Sequence, residues 1–449
     1  MFSTNAFYLL SMKFYRSIAD TVHKYIDVPE KLFIDIIDTS EFQRLRRIIQ
    51  LGGVSISYPS ATHSRFMHSL GASHVANGIT AELNRKHPNI LTKDDMTLCS
   101  LTALIHDIGH GPFSHMFEDT IRMLCRNSQY PESKEKYEDF VRHENISEQI
   151  VLDEESGIAK ILEAESFDRK RIGDLIQGRS VDDKPFYNQI IRSQLDADAL
   201  DYLMRDSVAT GVSFGMYNLE RLFAMFELTP EGLITISEKG LQSIEQVVIA
   251  LYMQFTRVYF HKTVRCWEYM LKLFISQILQ ELDEGKKLAV LPFVQEFSDK
   301  PYWKTLMTLT DDVIYTQLHY SATKEENNLF LKKLAQEILQ RNLYKGIPLT
   351  EDMAQNILEN EEKINFIVRK HGYPIVSWEI DQFVSRYYTP YNDGDRFAIS
   401  MKMKDGSLKQ LSEVSDIVSS LTQPKYNNLL IFPSPCRPEI AKLVEEISE

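Results

Sequence analysis

Apolar positions recur at helical spacing through most of the first 280 residues. In Phe42-Gln-Arg-Leu-Arg-Arg-Ile-Ile-Gln-Leu51, the residues Phe42, Leu45, Ile48 and Ile49 share one face of a 3.6-residue repeat. Asp38-Thr-Ser-Glu41 precedes that run like a capping box, with Asp38 in the N-cap position, and Gly52-Gly53 ends it. The pattern predicts a helix there and a second from Met96 to His110, stopped by Gly109, Gly111 and Pro112. Helical patterns also cover Ile190 to Arg205, Leu241 to Leu279, and about 303–319 and 325–341. The period then changes. Arg396 to Met403 alternates as a strand does, Lys404-Asp-Gly406 reads as a turn, and Asn428 to Phe432 as a short apolar strand. The expected fold is mainly α, a large helical core with a smaller α+β C-terminal part. Asp283-Glu-Gly-Lys-Lys287 and Pro292 mark the expected boundary, giving segments 1–290 and 291–449.

Composition narrows the class. Hydrophobic residues make up 43% of the 449 positions and charged residues 25%, as in soluble globular proteins. No apolar run approaches the ~20 residues that span a bilayer, so no membrane partner is expected. The opening Met1 to Met12 has an apolar patch but no preceding positive charge and no small-residue cleavage site, so it does not read as a signal peptide. Cys99, Cys125, Cys266 and Cys436 are far apart and read as reduced thiols, which points to the cytoplasm. The net charge of -13 argues against nucleic-acid binding driven by charge neutralisation. A local basic pocket for one phosphate ester is still compatible with it.

The candidate chemistry starts with histidine. Of 12 in the chain, His63, His68, His74, His87, His106, His110 and His115 crowd one stretch. His106-Asp107 closes an apolar helix, where a buried carboxylate is costly unless a cation or hydrogen bonds compensate. Gly109-His-Gly-Pro-Phe-Ser-His115 follows at once, and its glycines allow close backbone approach. In Gln194 to Asp206, the residues Asp198, Tyr202 and Asp206 fall at i, i+4 and i+8, one stripe of a helix. Asp201 and Arg205 form an i,i+4 pair beside it, which reads as a surface ion pair.

Thr62-His-Ser-Arg-Phe-Met-His-Ser-Leu-Gly71, the His106–His115 segment, His143-Glu144 and Leu195-Asp-Ala-Asp198 resemble the H…HD…D pattern of the HD-domain phosphohydrolases. The longer motifs are similar to the deoxynucleoside triphosphate triphosphohydrolases, the group of the sterile-alpha-motif and HD-domain enzyme and its bacterial relatives. The resemblance runs from about residue 16 to 265, with an echo in Gly406 to Ser415. It implies an HD-domain helical core and His68, His106, Asp107 and Asp198 as ligands of one divalent transition metal. Such mixed donors suit Fe, Mn, Zn, Ni or Co; Mg accompanying the nucleotide is a further candidate. It also implies attack on the α-phosphorus of a nucleotide, with Arg65 on the phosphate, His110 and His143 as acid–base groups, and Glu144 and Glu118 in support. His115 is a candidate substrate contact. Tyr202 and Asp206 match readers of the 3′-hydroxyl, and Tyr259 matches an aromatic packed where a 2′-hydroxyl would clash. Asp38, Gln43 and Arg46 match residues that read a regulatory guanine nucleotide between subunits, which implies a homo-oligomer, dimer or tetramer.

Three departures qualify the transfer. Ala199 stands where relatives have Lys or Arg, and Leu251 aligns with an arginine for the outer phosphates; Lys262, Arg257 or Lys239 are the nearby cations. Asp20-Thr-Val-His-Lys24 replaces an Asp-Pro-[Ile/Val]-His-Gly segment. Alternative readings are therefore a phosphodiesterase, nuclease or phosphatase acting on another nucleotide or single-stranded nucleic acid, and a nucleotide-sensing oligomer without turnover.

Overall fold

The computed structural model describes residues 15–88, 90–126, 142–283, 303–325, 328–385, 387–389 and 398–448. The expected boundary at 284–292, the opening patch Met1 to Met12, and Arg396 and Phe397 of the expected strand lie outside the described residues.

The chain opens on a hairpin, Arg16–Asp20 paired antiparallel with Lys24–Val28. Asp20 Oδ1 accepts the N–H groups of Val22 and His23, both at 2.9 Å, and so builds the turn from its own side chain. The helices that position the site follow. They are α1 (Arg65–Lys86), α2 (Lys93–Ile105), α3 (His115–Arg126), α4 (His143–Leu152), α5 (Ala197–Thr210), α6 (Lys262–Asp283) and α7 (Asp311–Lys324). α1 packs against α2 on one side and α5 on the other.

Several expected helices are shorter or broken. The helix after Asp38 is one α-turn, Ser40–Gln43, continued as a 3-10 turn over Arg44–Arg47. Its N-cap is Thr39, whose hydroxyl accepts from Phe42 N–H; Asp38 caps the end of the preceding helix instead. Ile48 leaves the helix because its neighbour Ile49 bridges to Ser64 and gives its N–H to Asp311, so tertiary pairing overrides the period. α2 starts earlier than expected, on a capping box between Thr92 and Asp95, and stops at Ile105. Residues 190–205 divide into Pro185–Ile191 and α5, because Asp196 turns its carboxylate onto the N–H groups of Ala199 and Ser193. Residues 241–279 divide at a π-helical turn, Phe255–Tyr259. Such turns commonly mark functional positions. Residues 303–319 split into Trp303–Leu306 and α7, and 325–341 reduces to Leu329–Leu339.

The sheets are small. Phe226–Leu228, Ile234–Ser237, Ser400–Lys402 and Leu408–Gln410 form one, in that order. The turn between the last two is the expected one, with Gly406 at φ +85°. Lys425–Phe432 is the centre of a three-stranded antiparallel sheet between Lys345–Leu349 and Glu379–Ser385. The fold is mainly α, as the period predicted. One buried apolar cluster runs from Ile26 to Val444 and joins the early helices to the late sheet. Among the described residues, no helix is long and apolar enough to cross a membrane.

Candidate metal centre and cleft

Three helices deliver the expected ligands to one point. α1 begins at Arg65 after the extended Ser64, which places His68 in its first turn, fully buried. His106 caps the end of α2, Asp107 follows it, and Asp198 sits in the first turn of α5. His68 Nε2 is 2.9 Å from Asp198 Oδ1 and 3.6 Å from Asp107 Oδ2. His106 Nε2 is 3.2 Å from Asp107 Oδ1 and 3.8 Å from Asp198 Oδ1. The structure brings all four together.

The donor set fits a divalent cation. Both Nε2 atoms are buried and have no aligned hydrogen-bond partner, a state that costs about 1–3 kcal/mol per group. Burial opposes a charge on His68, but Asp198 and Asp201 outweigh it and push the imidazole up to about 10. Burial opposes a charge on His106 as well; Asp107 and Asp198 again prevail and raise it. The carboxylates thus draw positive charge to this point, and protons supply it where a cation does not.

Around that point lies a cleft of about 530 Å³, within the roughly 300–1,000 Å³ of small-molecule sites. Arg65 lines it; its Nε donates to Ser114 Oγ at 2.8 Å and its Nη1 pairs with Asp107. His110 and His143 stack with centroids 3.7 Å apart, their Nε2 atoms 3.3 and 3.5 Å from Asp107 Oδ1. Glu118 lies 2.7 Å from His143 Nδ1. Burial would raise the Glu118 carboxyl, but His143 and His115 hold it far below the usual range. An ionised Glu118 only accepts, so His143 donates from Nδ1 and turns Nε2 to the cleft. Gly109 permits this assembly, since a Cβ there would overlap the His143 carbonyl. Glu144 pairs with Arg192 at 3.0 Å, and His115 lines the cleft with its side chain 66% exposed.

Along α5, Tyr202 and Asp206 continue the stripe begun by Asp198 into the cleft wall. Tyr259 donates to Asp206 Oδ2 at 2.6 Å, and His63 Nε2 lies 2.8 Å from Oδ1. His63 stands in the histidine-rich stretch, but nothing in its sequence setting marks it as a partner of Asp206. Ala199 and Leu251 are absent from the cleft wall: Ala199 N–H caps onto Asp196, and Leu251 packs on the core. Asp38, Gln43 and Arg46 also lie outside it. Gln43 donates to Ile37 O at 2.7 Å, Arg46 donates to Gln43 Oε1 at 2.8 Å, and its guanidinium covers the Phe66 ring at 3.5 Å.

At the site itself, one expectation is overturned. Asp201 and Arg205 are not a surface pair; they are 0% and 1% exposed. Asp201 Oδ2 meets His68 Nδ1 at 2.9 Å and Arg205 Nε at 2.8 Å, while Oδ1 meets His23 Nε2 at 2.6 Å. Arg205 reaches on to Asp20 at 2.8 Å. The hairpin turn and α5 thus share the carboxylate that orients His68. Gly71 was the available signal, because it lies one turn from His68 and a Cβ there would overlap Asp201 Oδ1 and the Arg205 guanidinium. Gly71→Ala is expected to cost at least the ~1–3 kcal/mol of ordinary overpacking, read as a fall in denaturant midpoint. An unchanged midpoint would mean that Asp201 and Arg205 can yield.

A family profile described as HD domain matches residues 65–206. An uncharacterised protein of Methanocaldococcus jannaschii is 31% identical over 413 residues, covering 90% of this chain and 75% of that one. The deoxynucleoside triphosphate triphosphohydrolase homologue of Dictyostelium discoideum is 28% identical over 419 residues, 87% of this chain and 74% of its own. A phosphohydrolase crystal structure from Bacteroides thetaiotaomicron superposes with a TM-score of 0.75 at 27% identity, covering 93% of this chain and 99% of that one. With the H…HD…D residues converging in space as well as in order, the chain belongs to the HD-domain phosphohydrolase superfamily and is similar to its deoxynucleoside triphosphate triphosphohydrolases.

Proposed function

We propose that this chain hydrolyses deoxynucleoside triphosphates at the α-phosphate, giving deoxynucleoside and tripolyphosphate. The observation that carries the reading is the convergence of His68, His106, Asp107 and Asp198, with two unsatisfied imidazole nitrogens, at a cleft that also holds Arg65 and the Tyr202–Asp206–Tyr259 group. The similarity to the Dictyostelium triphosphohydrolase homologue supports the substrate class.

The four ligands would hold one divalent transition cation, which when bound polarises a phosphoryl oxygen and lowers the pKa of water. Arg65 keeps donors on its second terminal nitrogen for the α-phosphate, where a planar guanidinium suits two oxygens. His143, oriented through Nδ1 by Glu118, gives a proton from Nε2 to the departing 5′-oxygen. Burial, Arg65 and His143 hold His110 well below the usual imidazole range. That keeps it neutral and able to hydrogen-bond the phosphate. Glu144 supports His143, His115 contacts the phosphate chain at the open side, and Tyr202 and Asp206 bind the 3′-hydroxyl. Tyr259 is fixed by Asp206 against the sugar. Asp38, Gln43 and Arg46 bind a regulatory nucleotide between subunits of a homo-oligomer.

A second reading has an observation of its own. Each described arginine in the cleft wall is already paired: Arg65 with Asp107, Arg192 with Glu144, and Arg265 with Asp381 at 2.7 Å. That favours a nucleotide with fewer phosphates, cut by a phosphatase or phosphodiesterase.

The test is a product assay with Mn, Fe or Co, offering the common dNTPs and NTPs singly and mixed. Deoxynucleoside plus tripolyphosphate is the expected outcome, and a requirement for mixtures would establish the regulatory site. Phosphate released from monophosphates alone would move the assignment to the second reading. Nucleotide bound without turnover, in metal-loaded protein, would reject both.

A further inference from the structure

A buried carboxylate that the proposed chemistry does not use opens α7. Asp311 is 8% exposed and accepts two backbone N–H groups, Phe113 on Oδ1 at 2.7 Å and Ile49 on Oδ2 at 2.8 Å. Those two segments meet again at Ser114, whose hydroxyl donates to Ile49 O at 2.6 Å and accepts from Arg65 Nε at 2.8 Å. A continuous chain of bonds therefore links Asp311 to the cleft arginine.

The loop needs holding. Phe113 and Ser114 both lie in the left-handed region, at φ +58° and +59°. A non-glycine residue costs about 1 kcal/mol or more there, and persists only where its surroundings enforce it. α7 grips Phe113 twice, because Tyr315, one turn beyond Asp311, sets its ring edge-on to the Phe113 ring at 5.5 Å. Trp267 on α6 closes the other contact at 5.8 Å. Arg44 in turn ties the approach to α7, donating to Leu309 O at 3.0 Å.

We propose that Asp311 is a positioning residue of the hydrolytic site, whose carboxylate fastens the Ile49 and Phe113 backbones so that Ser114 holds Arg65 ready for a phosphoryl group. This rests on the hydrolytic reading given above. Burial raises the Asp311 carboxyl to about 7, while the Ile49 and Phe113 N–H groups and Arg44 favour its ionised form. Both oxygens accept here, whereas an asparagine accepts on one and presents an N–H against the other donor.

The experiment compares the full-length chain with Asp311→Asn, Ser114→Ala, Arg65→Ala and the double variants. Asp312→Asn is the control, since Asp312 is 60% exposed and pairs only with Arg47 in the ion pairs described. Tripolyphosphate is the probe, measured by its binding constant, with metal content and, where turnover occurs, kcat and KM alongside. Asp311→Asn and Ser114→Ala should keep their metal, weaken tripolyphosphate about tenfold and lower kcat/KM by a similar factor. In an Arg65→Ala background both effects should disappear, because the coupled residues act as one unit. Lower thermal stability with unchanged tripolyphosphate affinity would overturn the proposal, as would an effect that persists without Arg65. Should Asp311→Asn not fold, Ser114→Ala decides by the same criteria. A wild-type chain that binds tripolyphosphate but turns over no nucleotide rejects the hydrolytic reading and leaves the binding comparison to judge Asp311.

Discussion

Asp107→Ala is expected to leave less than about a tenth of the wild-type metal and to lower hydrolysis by roughly 10³-fold or more, a loss of about 4 kcal/mol of transition-state stabilisation. Both carboxylate oxygens are committed. Oδ1 faces His106, His110 and His143 at 3.2, 3.3 and 3.5 Å, and Oδ2 faces Arg65 and His68. Removing it takes away a ligand and leaves the buried Arg65 guanidinium without its carboxylate, so stability should fall as well. Metal analysis and product chromatography on the same preparation check both parts. Wild-type turnover in the variant would exclude this site as the hydrolytic centre. A pH dependence accompanies the loss. His68 sits at about 10 in the metal-free protein, so near neutrality it carries a proton that a cation must displace. Metal affinity should therefore rise with pH through the neutral range, and loading should release protons into a weakly buffered solution. Affinity independent of pH would mean that His68 is already neutral when the cation arrives.

Asp201→Ala is the second large effect, although Asp201 is not an expected ligand. It holds His68 Nδ1 on one oxygen, His23 on the other, and Arg205 across both. Loss of a carboxylate that orients a ligating imidazole typically weakens metal binding 10–100-fold. The second cost is electrostatic. Arg205 would keep Asp20 but lose one of its two carboxylate partners while buried, and breaking such a pair costs about 3–5 kcal/mol. Competition with a chelator measures the first, and denaturant unfolding of the metal-free protein the second. A normal metal constant with lowered stability would reduce Asp201 to a fold-maintaining residue.

The parts of the site legible in the sequence are those whose side chains carry the chemistry. His106-Asp107 at the end of an apolar helix, and the Asp198–Tyr202–Asp206 stripe, announce themselves because buried polar groups at helical spacing demand an explanation. Asp201 and Arg205 did not, because the same i,i+4 spacing serves an exposed salt bridge and a buried one. Only the close approach at Gly71 tells them apart. Asp311 left no trace at all, since its partners are the backbone amides of Ile49 and Phe113, and an amide has no letter in the sequence. The fold was legible to the same degree. Period identified helices, while their ends were set by single polar groups, some local, as at Thr92, Asp95 and Asp196, and some far along the chain, as where Asp311 draws Ile49 out of its helix.

The Asp311 contacts also set an order in time. Its partners Phe113 and Ile49 precede it by 198 and 262 residues. At roughly 5–20 residues per second of synthesis, the first strands and helices wait on the order of ten to fifty seconds for the carboxylate that fastens them. Until then the loop holding Arg65 has no reason to keep its left-handed turn, and the imidazole and carboxylate ligands are translated long before their frame is complete. A nascent chain arrested before α7 should therefore bind tripolyphosphate poorly, even though Arg65 and every proposed ligand have already left the ribosome.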